Sequence, residues 1–136
     1  MATEYLSRPM VYGPNAPKDK RLLCHGQYEG YDFYIYNQHG NFPLAYVSVP
    51  VGHPLYEKDQ NDPLIENLKV HGNVTYAAPT LMDNPEGWYV GWDYAHMGDY
   101  RACPMIPQLT APGKKYKTAD IIKDCEAVID EMKEMQ

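Results

Sequence analysis

The stretch VHGNVTYAAPTLMDNPEGWYVGWDYAHMGD, from Val70 to Asp99, decides the fold class. Between Val70 and Ala77, Val70, Val74 and Tyr76 fall on one face of an extended chain, and His71, Asn73 and Thr75 on the other. Between Trp88 and Asp93 the alternation returns, with Trp88, Val90 and Trp92 against Tyr89, Gly91 and Asp93. Two such runs predict strands that fold back on each other. With both apolar faces on one core, His71, Asn73, Thr75 and Asp93 share the opposite surface. Gly91, lacking a side chain, leaves room there for a ligand or another backbone.

The same alternation continues towards the N-terminus. Arg21–Gln27 and Tyr31–Gln38 read as strands joined at Tyr28-Glu29-Gly30, where Gly30 supplies a positive φ. In YDFYIYN, Tyr31, Phe33 and Ile35 form a core face and Asp32, Tyr34 and Tyr36 an amphipathic one. Leu44–Pro50 is a third strand. Asp62 and Pro63 then start a short helix, with Leu64, Ile65 and Leu68 as its apolar stripe, a lid-like insertion between the third and fourth strands. Residues 1–20, with Pro9, Pro14 and Pro17, read as an extended arm able to dock on its own domain or on a second copy.

Beyond the central pair, residues 94–117 carry Gly98, Pro104, Pro107, Pro112 and Gly113 and form a long irregular loop, a feature often functional. Thr118 caps a helix from Ala119 to about Met135, whose Ile121, Ile122, Cys125, Val128, Ile129 and Met132 make one apolar stripe. The expected fold is α+β: an antiparallel sheet of about five strands, one face covered by the C-terminal amphipathic helix, with residues 21–136 a single domain.

Composition narrows the function. A net charge of −6 argues against general duplex nucleic-acid binding, which needs a basic footprint. Three cysteines with no C-x-x-C spacing suit a reducing cytoplasm, and no apolar run approaches membrane-spanning length. Thirteen tyrosines against two phenylalanines suit partly wet surfaces such as clefts, interfaces or sheet edges, and make a homodimer plausible.

The ionisable residues offer several chemistries. His53, His71, Asp93, His96 and Asp99 have the donor types of a Zn²⁺, Mn²⁺ or Fe²⁺ site, although the D-x-x-H-x-x-D spacing of 93–99 would share a face only on a helix. His71 with Asp93 on a neighbouring strand would make an acid–base pair. Against both stands the bland reading, in which these groups anchor loops and fill a polar face. Cys24 and His25, being adjacent on a strand, point to opposite faces and cannot pair. Finally, His71, Asn73, Thr75, Asp93 and His96 could line a nucleotide or protein-binding cleft, with Tyr89, Trp92 and Arg101 adding stacking and charge.

Four stretches carry a resemblance: Tyr46-Val47-Ser48-Val49-Pro50-Val51-Gly52-His53-Pro54, His71-Gly72-Asn73-Val74-Thr75-Tyr76, Gly91-Trp92-Asp93-Tyr94-Ala95-His96-Met97-Gly98-Asp99 and Cys125-Glu126. Together they resemble a family of small phage and prophage proteins, with Asn73 in place of a Gly and Trp92 in place of a Phe. The resemblance covers roughly residues 44–130. It implies a phage accessory protein working in the host cytoplasm, without implying a mechanism. Such proteins resemble counter-defence factors, so the leading expectation is a binder without a cofactor. It would inhibit a host defence protein non-catalytically, as anti-CRISPR proteins do, or sequester a nucleotide signal. The alternatives are a metal-dependent or His/Asp acid–base hydrolase, and a structural or host-takeover interaction protein.

Overall fold

The computed structural model describes all 136 residues. Its strands are β1 (Thr3–Ser7), β2 (Arg21–Tyr28), β3 (Tyr31–Asn37), β4 (Pro43–Ser48), β5 (Tyr76–Ala78) and β6 (Tyr89–Asp93), with helices α1 (Pro63–Glu66) and α2 (Thr118–Glu134). They form one antiparallel sheet in the order β1-β2-β3-β4-β6-β5. The β2–β3 turn has φ of 52° at Glu29 and 84° at Gly30, the two-residue hairpin geometry that matches strand twist.

Period two sorts the side chains into two layers. On the helix side, Phe33, Ile35, Ala45, Val47, Val90 and Trp92 are at most 1% exposed. α2 lays Ile121, Cys125, Val128, Ile129 and Met132 across them. At about 1.5–3 kcal/mol for each large side chain, this burial is the main support of the fold. On the far side Tyr34, Tyr36, Tyr46 and Tyr89 make a second apolar cluster with Leu81. Their rings meet edge to face, as at Tyr36–Tyr46 (5.8 Å) and Tyr46–Tyr76 (5.3 Å). The loop 79–87 is drawn over them: the Tyr89 hydroxyl donates to the Pro85 carbonyl (2.5 Å) and the Asn84 amide to the Tyr36 hydroxyl (3.0 Å). Four of the thirteen tyrosines thus build a second core layer, while others, such as the exposed Tyr5, stay at the surface.

Five expectations are corrected. The sheet has six strands, because residues 3–7 of the expected arm pair with β2 as its edge strand. The rest of the arm is held too, with the Asn37 amide donating to the Val11 carbonyl (2.9 Å). Of the strand expected over 70–77, only Tyr76–Ala78 forms. Gly72 at φ 69° and a turn closed by the Val70 N–H on the Leu68 carbonyl turn the chain off the extended path. α1 starts as expected, the Asp62 carboxylate accepting from the Leu64 N–H (2.9 Å) and Pro63 following, but it is no lid. Its Ile65, and Leu68 just beyond it, belong to the main core. Lastly, Thr118 is the first residue of α2 rather than its cap; its hydroxyl donates to the Arg8 carbonyl (2.6 Å) just beyond β1. Asp120 accepts from the Lys117 N–H (3.0 Å) and so satisfies the helix start.

The room expected at Gly91 is filled by this protein itself: a Cβ there would lie 2.3 Å from Cδ1 of Tyr46 and 2.8 Å from the Ala45 carbonyl oxygen. Gly91→Ala is therefore expected to lower stability by about 1–3 kcal/mol, read from the urea midpoint. A fall below about 0.5 kcal/mol would mean that the tyrosine layer yields freely.

Burial raises the phenols of Tyr34 and Tyr46 to about 12. An unfolded tyrosine ionises near 10. Below that pH both states hold the proton; above it the unfolded state loses it first, so stability declines as pH climbs from about 10 towards 12. Each such phenol contributes a slope of up to about 1.4 kcal/mol per pH unit. Denaturant melts and phenolate absorbance should both break in this alkaline window.

Candidate functional site

β6 ends at Asp93, and a tight loop folds back under two carboxylates. Asp93 accepts from the Ala95 N–H (3.1 Å) and, more weakly, from the Thr75 hydroxyl (3.4 Å). Asp99 accepts from the His96 N–H (3.0 Å), and Gly98 at φ 93° lets the chain turn between them. Asp99 is 4% exposed, and its Oδ2 lies 2.7 Å from Nε2 of His71. The His71 ring stacks on Tyr94 at 4.7 Å and 17° and meets Tyr116 edge on.

Tyr94 is the link to the core. Following Trp92 by two residues, it stays on the helix side and is fully buried. Its hydroxyl accepts from the Trp92 indole N–H (3.0 Å) and donates to Asp124 of α2 (2.8 Å). Burial pushes its phenol far above the ordinary tyrosine range. A polar chain thus runs from α2 through Asp124 and Tyr94 to Trp92, and the Tyr94 ring supports His71 and, through it, Asp99.

His96 completes the cluster. Its Nε2 is 3.3 Å from Oδ1 of Asp93, but the angle gives no hydrogen bond, leaving that nitrogen buried without a partner. Gly72 makes room for the ring: a Cβ at residue 72 would come within 2.2 Å of the same nitrogen.

The structure therefore crosses the expected pairing. His71 pairs with Asp99 rather than Asp93, and Asp93 lies beside His96. The reason is the missing strand at 70–75, since the turn at Gly72 sends His71 to the Tyr94 side of the sheet. Of the residues expected to line a cleft, Thr75, Asp93 and His96 lie together with His71 beside them. Exposed Arg101 reaches the Ala95 carbonyl only at 3.4 Å. Asn73 lines a separate hollow of about 240 Å³ with Gln60, Asn61, Glu66 and Val74. Tyr89 and Trp92 are buried on opposite faces of the sheet and offer no stacking surface. His53 stands apart; its Nε2 bonds the Met132 carbonyl (2.8 Å) and its Nδ1 accepts from the Leu55 N–H (3.0 Å). The five residues considered as metal ligands do not converge, and no three imidazole, thiol or carboxylate groups of the chain do.

Sequence reasoning missed Asp124 as a partner and Tyr94 as the link. The signal for Tyr94 was its place two residues after Trp92, which continues the core face. Chemically, the carboxylates here pin a loop, while His71 keeps one ring nitrogen without a protein partner. Comparison with known proteins finds no matching family model, curated protein or solved structure.

Tyr94→Phe strands both the Trp92 N–H and the Asp124 carboxylate, and is expected to cost about 1–3 kcal/mol in urea unfolding. Asp99→Ala should instead act locally. Amide exchange at His96, Tyr100 and Arg101 should accelerate while α2 keeps its protection; equal loss in both would show that the loop and the core unfold as one unit.

Proposed function

We propose that this chain is a non-catalytic protein binder, and that it acts as a phage counter-defence factor by covering a host immune protein in the host cytoplasm. The setting rests on the resemblance to small phage proteins; the binding mode rests on the loop. The observation that carries it is an ordered turn with an apolar tip. Met105, Ile106 and Leu109 are 88%, 50% and 63% exposed. Yet the turn is closed by bonds from the Ile106 N–H to the Cys103 carbonyl (3.1 Å) and from the Leu109 N–H to the Ile106 carbonyl (2.9 Å). Its base is clamped by reciprocal Arg101–Ala111 backbone bonds of 3.1 and 2.9 Å.

Apolar side chains held out on a fixed backbone bind at a reduced entropic cost, and such patches mark protein contacts. The His71–Asp99 pair, in this reading, stiffens the root of the loop. Capture of a nucleotide has less behind it, because Tyr89 and Trp92, the residues expected to stack on a base, are packed in the core. A hydrolase is the second reading, favoured by one observation: the near-buried Asp99 holds His71 by Nε2, the one hydrogen bond its ring makes within the chain.

One plating assay separates them. In cells whose immune system restricts a phage, expressing the chain should restore plaques. Met105→Asp with Ile106→Asp and Leu109→Asp should abolish the effect at an unchanged melting temperature, whereas His71→Gln, which keeps a donor for Asp99 but no acid–base imidazole, should retain it. The opposite pattern would transfer the assignment to acid–base chemistry.

A further inference from the structure

We infer that the face running from α1 to the 94–117 loop is a self-complementary surface on which a second copy of this chain docks about a two-fold axis. One end is acidic: residues 57–66 contain Glu57, Asp59, Asp62 and Glu66 against the single Lys58. The other end is basic: residues 100–119 contain Arg101, Lys114, Lys115 and Lys117 and no acid at all. The rest of the chain therefore carries eight Lys and Arg against all eighteen Asp and Glu, and the asymmetry is strong.

The two ends belong to one strip. Glu66 and Asn73 line the same hollow, Gly72 touches the His96 ring, His71 bonds Asp99, and Asp99 pairs through the backbone with Lys114. None of the four acids and none of the four bases takes part in an ion pair within the chain, so all eight are free to pair with a second copy. Lys114 and Lys115 are already placed, each ammonium resting over a tyrosine ring, Tyr116 at 4.6 Å and Tyr100 at 4.5 Å. Between the ends stands Met97, fully exposed on the His96–Gly98 turn.

A strip that is acidic at one end and basic at the other matches itself when turned by a two-fold rotation. Each copy's lysines then face the other's Glu57–Glu66 end, and the two Met97 side chains meet near the axis. Such an isologous contact closes at two subunits. It leaves the Met105–Leu109 tips free, so the pair would present two of them. This assembly does not depend on what the tips bind.

Sedimentation velocity on the purified protein tests it. The chain of 15.6 kDa should sediment as a dimer of about 31 kDa, twice that mass. The dimer should dissociate between about 0.1 and 1 M salt, as the screening length falls from about 10 to 3 Å. Lys114→Glu with Lys115→Glu should weaken it by about tenfold or more, and so should Glu57→Lys with Glu66→Lys. Mixing those two variants should restore a dimer, because both contacts regain opposite charges. That restoration also guards against misfolding as the cause of either loss. A monomer at every concentration in low salt would overturn the inference. So would a dimer indifferent to the reversals, a mixture that stays monomeric, or a mass that grows past two subunits.

Discussion

The hydroxyl of Tyr94 joins the three parts of this protein. It binds the indole of Trp92 on the sheet and the carboxylate of Asp124 on α2, and its ring carries His71 at the root of the functional loop. Asp124 is tolerated at the edge of the core because this phenol donates to it, and the Trp92 N–H is tolerated because the phenol accepts. Remove the oxygen and the buried Trp92 N–H and the half-buried Asp124 carboxylate lose this partner at once. Network members of this kind are worth more together than apart.

Around that junction the sheet is buried on both faces by different chemistry. The helix side packs aliphatic residues around Phe33, Trp92 and Tyr94 and depends chiefly on area. The far side is phenolic and depends on area together with hydroxyl bonds to the 79–87 loop. Gly91 and Gly26 sit where a ring crosses the sheet, Tyr46 over one and Phe33 over the other, so both glycines are packing residues. A polar-looking strand face thus becomes a second core.

The histidines divide according to what their neighbours allow. His53 has both nitrogens bonded to backbone and is a structural bracket at the end of α2. His71 and His96 sit at the loop root, where each carboxylate beside them also holds a loop N–H. Four groups with the look of a reactive centre therefore give the loop its shape. A loop shaped in this way can hold Met105, Ile106 and Leu109 outward without collapsing onto the core.

Much of the fold was legible in the residues. Alternation marked β2, β3, β4 and β6, Asp62-Pro63 marked α1, and the stripe from Ile121 to Met132 marked α2, because these signals are local and repeat over several residues. Residues 3–7 lacked such a repeat, and their strand exists only because β2 has an open edge to pair with. Residues 70–75 had the repeat and still left the sheet, because one positive φ at Gly72 outweighed it. The site followed the same division. Its residue types could be read from the chain, but their partners could not: whether His71 meets Asp93 or Asp99 depends on which side of the sheet a single turn delivers it. Composition and periodicity are properties of neighbours along the chain, and they determined the fold class and the core. Pairing across 28 residues is a property of neighbours in space, and only the tertiary structure decided it.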